Sequence, residues 1–485
     1  MGDFEVNGED LEKYTGNGGD VVIPDGVKEI SYEAFGEYFH ECKNVTSITL
    51  SASVERIDSL AIYSCPDLKA IYVDPQNGSF CEVDGILYSK DKKTLIRCPE
   101  AITGEVEIPD GVKLIRYGAF DGCKKITSVK FPNTVQEIEG SAFSGCSSIT
   151  DFMLPDSLEV IGQYAFWNMD SLATLVIPKK VSQFGSWQAD VINSKSLESI
   201  EVDPENATYS SIDGMLFSKA GRNVQFCPRG KKGAVVLSEN VRGINSNSFR
   251  GCEEITEVNI PSKVTKIGYG AFSQCKKIKT VSIPAGVKTI EEETFSDCSS
   301  LESVQLNEGL AQIGANAFAC EALKRIELPK TITKVAKTSF TDDLVIVCYP
   351  EIFKKLNAEN KIKTAIEYLK SNEGFNEEQS AGIMAFIASS KGKVLNAVVE
   401  ADCVEALIGY NIVQPLTKKE ITASLKTATD KGFVQITAAL LEIQNGGGKA
   451  PEKEKVNITK NEKRADGGAE KANKTDWKNQ RQEHH

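Results

Sequence analysis

The sequence predicts an α/β solenoid of about fourteen coils, with a parallel β-sheet on one face and two hairpin insertions, followed by a small all-α domain. Three observations carry this. A unit of 23 residues recurs across residues 21–349, two insertions near 74–99 and 203–228 match each other at a spacing of 129 residues, and after Pro350 the register gives way to helical spacing. An internal repeat overrides the usual reading of 485 residues as several compact domains. Residues 1–20 are assigned to an N-terminal cap, 21–349 to the solenoid, 350–445 to the helical domain and 446–485 to a disordered tail.

The unit is clearest between Gly111 and Leu154. Shifted by 23 residues, Ile115-Arg116-Tyr117-Gly118-Ala119-Phe120-Asp121-Gly122-Cys123 falls on Ile138-Glu139-Gly140-Ser141-Ala142-Phe143-Ser144-Gly145-Cys146. Each copy runs on to a short β-branched segment that ends at Phe131-Pro132 or Leu154-Pro155. The last apolar residue of each expected strand steps along the chain from Ile23 to Leu328 at intervals of 27, 23, 35, 23, 23, 23, 25, 35, 23, 23, 23 and 22. A last strand near Leu344–Val347 closes the series. In the copy from Ile260 to Ile283, the residues Val264, Ile267, Phe272, Ile278 and Val281 recur in register, with neither helical nor alternating period, and point into a coil. Five such side chains at about 1.5–3 kcal/mol each do not offset ordering one coil at about 1.5 kcal/mol per residue. No coil is stable alone; stacking supplies the difference.

Eight of the thirteen cysteines, Cys42, Cys65, Cys123, Cys146, Cys252, Cys275, Cys298 and Cys320, share one repeat position, and Met169 takes it in another copy. Equivalent side chains in stacked coils stay about 4.8 Å apart, wider than the ~3.8 Å between the β-carbons of a disulfide. A ladder of buried free thiols is expected, each acting as a small hydrophobe. That ladder, with a start lacking the basic and apolar regions of a signal peptide, favours the cytoplasm; the alternative is the cell surface or secretion after removal of a leader.

The pattern Cys-x-x-Ile/Leu-x-x-Val/Ile-x-Leu/Ile-Pro-x-x-Val-x-x-Ile-x-x-x-Ala-Phe resembles the BspA-like leucine-rich repeat family, also called the Treponema pallidum type, from about Val21 to Val347. The resemblance implies a right-handed leucine-rich-repeat solenoid, and adhesion or protein binding at bacterial surfaces. Both 35-residue steps carry one insertion: Asp74-Pro75-Gln76-Asn77 opens the first and Asp203-Pro204-Glu205-Asn206 the second. Val83-Asp84-Gly85-Ile86 and Ile212-Asp213-Gly214-Met215 then read as hairpin turns, with returns ending at Cys98-Pro99 and Cys227-Pro228. The aspartates are read as turn residues, because the oxygen spacing of a calcium loop is absent.

Past Pro350, apolar spacing predicts about five helices, with capping boxes at Asn376/Gln379 and Thr417/Glu420 and breaks at Gly374, Gly392 and Gly432. This domain is read as a cap on the solenoid, with a second binding module as the alternative. The last forty residues hold ten Lys/Arg against seven Asp/Glu and almost no apolar content, so they cannot bury a core.

Composition excludes several functions. No apolar run reaches the length of a membrane span, and a net charge of −12 disfavours nucleic acid. Outside the terminal pair the only histidine is His40, no Cys-x-x-Cys occurs, and Gly446-Gly447-Gly448-Lys449-Ala450 lacks the spacing of a phosphate loop. No catalytic residue, metal site or cofactor is assigned, and the chain is read as a non-enzyme and a monomer. A protein ligand is the expected partner, with carbohydrate or cell envelope as the alternative. The residues flanking each inward strand position form two outward columns, from Ser47/Thr49 to Arg325/Glu327, mostly small and polar. Tyr72, Lys130, Met153 and Val176 stand out in them, and Trp167 and Trp187 fall in the same middle coils. These six are the candidate binding residues. For the tryptophans two readings stay open, packing over irregular coils or an interaction hot spot.

Overall fold

The computed structural model describes residues 3–36, 42–185 and 191–446; His40, Trp187 and the tail beyond Gly446 lie outside them. The chain divides into two compact units, Met1–Leu344 and Val345–His485.

In the first unit each regular coil contributes three hydrogen-bonded segments. One is a strand of the parallel sheet, in which Thr174 pairs with Ser199 and Thr280 with Ser303, one coil apart. A second is a two-residue ladder, which runs through Leu114–Ile115, Glu137–Ile138, Val160–Ile161 and Gln183–Phe184. The third is the Ala-Phe turn, where the Phe120 amide donates to the Ala142 carbonyl at 2.7 Å and the Phe143 amide to Ala165 at 2.8 Å. Two left-handed residues bracket that turn. Ser141, Tyr164, Asn247 and Glu293 occupy the first position at φ 54–58°, and Gly122, Gly145 and Gly251 the second at φ 73–77°. Gly and Asn adopt this conformation at little cost, so the Gly-Cys of the repeat is a backbone requirement.

The repeat's apolar residues fill the interior. Phe249, Phe272, Phe295 and Phe318 stack with centroids 5.0–5.5 Å apart and planes within 17°. The cysteines beside them are free thiols. Each also bonds to the coil before it: Cys146 Sγ donates to the Phe120 carbonyl at 3.2 Å, Cys298 to Phe272 at 3.1 Å and Cys320 to Phe295 at 3.0 Å. Met169 fills the slot with no exposed surface. Burial pushes the Cys98, Cys146 and Cys275 thiols well above their ordinary range, so they stay protonated and unreactive.

Both insertions are hairpins, and both break the sheet in the same way. Asp84 and Gly85, like Asp213 and Gly214, have positive φ throughout, as a two-residue hairpin turn requires. The Gly85 carbonyl accepts from the Ile71 amide and the Gly214 carbonyl from the Ile200 amide, each at 2.8 Å, where the next coil's strand would otherwise pair. The return strands Thr94–Arg97 and Asn223–Phe226 rejoin the two-residue ladder. Asn77 anchors the first insertion, donating to the Ser51 and Val54 carbonyls and accepting from the Ser79 and Phe80 amides at 2.8–2.9 Å. Asn206 repeats all four bonds with Pro178, Val181, Thr208 and Tyr209. Asp74 and Asp203 accept from backbone amides two residues on, which is turn chemistry.

The sheet is also interrupted at Phe152, for a steric reason. Phe152 stands where neighbouring coils have Val129 and Leu175, and its ring packs edge-on against Phe131, Phe143 and Phe166 at 5.0–5.4 Å. The strand shrinks to a single bridge between Ser128 and Asp151.

Among the described residues the second unit opens with a strand, Val345–Val347, followed by seven helices: α1 (Pro350–Phe353), α2 (Ala358–Lys370), α3 (Glu377–Ser389), α4 (Lys391–Glu400), α5 (Val404–Val413), α6 (Lys418–Asp430) and α7 (Val434–Gln444). Both expected capping boxes form. The expected count of five is too low, because α1 is one turn long and α5 shows no apolar stripe. It packs against α2, α4 and α7 at once, so it is apolar on most sides and leaves no period to read. Gly409 lets α5 approach α2 closely, since a β-carbon there would meet the Leu369 carbonyl. Gly392 is also corrected: it lies inside α4, and the chain turns at Ser390 instead. Among the described residues no single helix is long and apolar enough to cross a membrane; α3 and α4 together are bent by 96°.

Candidate binding surfaces

The sheet face carries four of the six candidate residues. Met153 is 75% exposed, Tyr72 49% and Val176 46%. Lys130 is exposed but occupied: its ammonium lies 2.6 Å from Glu105 of the previous coil, which holds the Glu105 carboxyl below the usual range. Lys130 and Met153 share a shallow depression of about 730 Å³ with Phe131, Glu105, Glu107 and Asp151, and Asp110 and Asp156 at its edge. Val176 sits one coil further along at the position equivalent to Met153. Tyr72 is not brought to them, because the first hairpin ends its sheet at Ala70–Val73. One expected outward residue is corrected as well. Ser47 is buried, and its hydroxyl donates to Asp20 at 2.7 Å, beside Thr46 at 2.8 Å.

Trp167 lies on a different surface. It follows the core Phe166 on the Ala-Phe turns and lines a groove of about 660 Å³ with Tyr63, Tyr117, Tyr164, Arg229 and Arg250. Leu60, Gly118, Asp121, Ser141, Ser144, Asn193 and Gln274 complete the wall. Residues from Leu60 to Gln274 share one concavity because the turns of successive coils stack. The Tyr164 ring meets Trp167 edge-on at 5.2 Å, and the Arg229 guanidinium lies 5.9 Å from the Trp167 centroid. Tyr164 holds a left-handed backbone that bulky residues rarely adopt.

The two ends of the groove differ in charge. Near Asp121, the Arg97 guanidinium is buried and donates to the Gly118 carbonyl at 2.6 Å and to Glu100 at 2.8 Å. Glu100 also accepts from the Cys65 amide at 3.0 Å. Burial raises both the Glu100 and Asp121 carboxyls above the usual range, against the pull of Arg97 and, for Asp121, of Ser144 and Tyr63. At the other end stand Arg229 and Arg250, the latter 3.8 Å from Glu293. Sequence reasoning reached Trp167 and missed Tyr117, Tyr164, Arg229 and Arg250. The signal was available in the 129-residue offset, which sets Glu100 against Arg229 and Asp121 against Arg250. Among the described residues no group of three or more His, Cys, Asp or Glu is placed to hold a metal ion.

No curated protein sequence matches the chain. A leucine-rich cell surface protein of Faecalibacterium prausnitzii is 25% identical, with a TM-score of 0.51, over 71% of this chain and 91% of its own. The pneumococcal vaccine antigen PcpA is 20% identical, with a TM-score of 0.47, over 73% of this chain and 94% of its own. The family described as "BspA type Leucine rich repeat region (6 copies)" matches residues 13–83, 98–221 and 225–345. Those stretches make up more than half of the chain, which belongs to the BspA-type leucine-rich repeat family.

Proposed function

We propose that the chain is a non-catalytic scaffold that binds another protein through its sheet face, in adhesion at the cell surface. The observation that carries this is Met153, 75% exposed in a face of small polar residues and lining the depression there. An exposed apolar anchor in a concavity is the kind of feature from which interfaces draw most of their energy. The surrounding carboxylates, Glu105, Glu107, Asp110, Asp151 and Asp156, outnumber the one lysine, so the partner presents a basic rim around an apolar residue. Of the two locations left open by the sequence, the cell surface is taken because the F. prausnitzii protein is described as a cell surface protein. The test is capture of surface proteins from host cells or matrix by the wild type and by a Met153→Ser, Val176→Ser variant. Loss of a specific basic partner, with unfolding temperature unchanged, is expected. Unchanged capture removes the sheet face as the site.

A further inference from the structure

We propose that the groove on the Ala-Phe turns binds an acidic oligosaccharide, with a sugar carboxylate on Arg229 and Arg250 and the sugar rings along Tyr164 and Tyr117. This surface is separate from the sheet face, and the inference does not depend on the reading given there.

Volume and lining point to a small polar ligand. About 660 Å³ falls within the range of small-ligand sites. Leu60 is the one aliphatic side chain in the wall; hydroxyls and amides from Ser141, Ser144, Asn193, Gln274 and the tyrosines make up most of the rest. An apolar peptide anchor finds no pocket here, whereas a ligand rich in hydroxyls meets a donor or acceptor at most positions. Tyr117 and Tyr164, 40% and 39% exposed, offer ring faces of the kind on which a pyranose packs.

Charge selects an acid. The two arginines occupy the positions that hold Glu100 and Asp121 in the first copy of the duplication, so this basic end is peculiar to the second copy. Both are held in place, Arg229 over the Trp167 ring and Arg250 by Glu293 at 3.8 Å and Asn247 at 3.5 Å. A guanidinium held in advance loses little freedom on binding a carboxylate and matches it with two parallel hydrogen bonds. Tyr164 takes the left-handed position that Ser141, Asn247 and Glu293 share in other coils, so the repeat's backbone fixes where its ring is displayed on this wall.

The test is calorimetric titration of the full chain with 3′-sialyllactose and with trigalacturonate, against lactose and trigalactose as neutral counterparts. At least one acid is expected to bind ten or more times tighter than its counterpart, and which one binds identifies the source of the carboxylate. Arg250→Gln, at a partly exposed position, is expected to weaken that binding about tenfold, the effect of one lost charge-assisted bond, with the unfolding temperature checked alongside. Arg229→Gln is expected to act in the same direction and Met153→Ser to have no effect. The proposal is overturned if neither acid binds, if the neutral sugars bind equally well, if Arg250→Gln changes nothing, or if a polyglutamate peptide binds and the sugars do not.

Discussion

The two copies of the duplicated block, one opening at Asp74 and the other at Asp203, share a skeleton and little of their surface. Asn77 and Asn206 make the same four hydrogen bonds, the Asp-Gly turns close on the sheet edge in the same way, and both returns end in a buried Cys before Pro. The outward positions and the walls of the groove have diverged. Lys130, Met153 and Val176 of the first copy become Asn259, Ser282 and Gln305 in the second, Tyr164 and Trp167 become Glu293 and Ser296, and Glu100 and Asp121 become Arg229 and Arg250. Interior differences are few and have visible consequences. Phe152 against Val281 costs the first copy a strand, and Arg97 against Phe226 gives it a buried ion pair. Residues that pack into the neighbouring coil are held to one identity by stacking; residues on the outer surface vary between the copies.

The comparison is broken most sharply at the ion pair. Glu100→Ala leaves the Arg97 charge buried without its carboxylate, and a loss of about 3–5 kcal/mol is expected in chemical unfolding of the solenoid. Giving the first copy the second copy's residues, Arg97→Phe with Glu100→Arg, is expected to recover most of it, because an apolar ring replaces the buried charge and the new arginine reaches the groove. Failure to recover would mean that the two hairpin returns are not equivalent. The shared skeleton is tested next. Asn77→Ala and Asn206→Ala each strip partners from four backbone groups, three of them in buried bonds, and each is expected to cost about 2–4 kcal/mol, with the two values close to one another. A large difference would show that one hairpin is anchored by other contacts.

The smallest effect is in pH. Burial raises the Asp121 carboxyl, so the folded chain holds that proton more tightly than the unfolded chain does. Its contribution to stability is present in full below the ordinary carboxylate range and is lost as pH rises through the raised value. Asp121→Asn keeps the neutral form at every pH. It is therefore expected to unfold at a higher temperature than wild type near pH 7, with the gap closing as pH falls toward 4. A gap that does not change with pH would assign the effect to something other than the proton.

Much of this molecule was legible beforehand. The coil register, the thiol ladder, the paired hairpins and both capping boxes follow from residues whose partners lie a fixed number of positions away. The misses share a different cause. α5 is apolar on most sides because three helices surround it, and amphipathic spacing cannot register a helix that has no solvent face. Ser47 has the alternation of an outward residue, but Asp20 in the coil before supplies the bond that draws it in.

The candidate residues mark the same boundary. That Met153, Val176 and Trp167 are exceptions could be seen by laying the copies over one another. That Met153 faces one side and Trp167 another, with Arg229 over its ring, could not. A 23-residue period determines which residues point inward, because each inward side chain meets its own equivalent in the next coil. It carries no information about how far each turn bends, where a hairpin or a phenylalanine breaks the sheet, or which non-equivalent residues then share a concave wall. Those depend on the stacking of whole coils, and only the tertiary structure decided them.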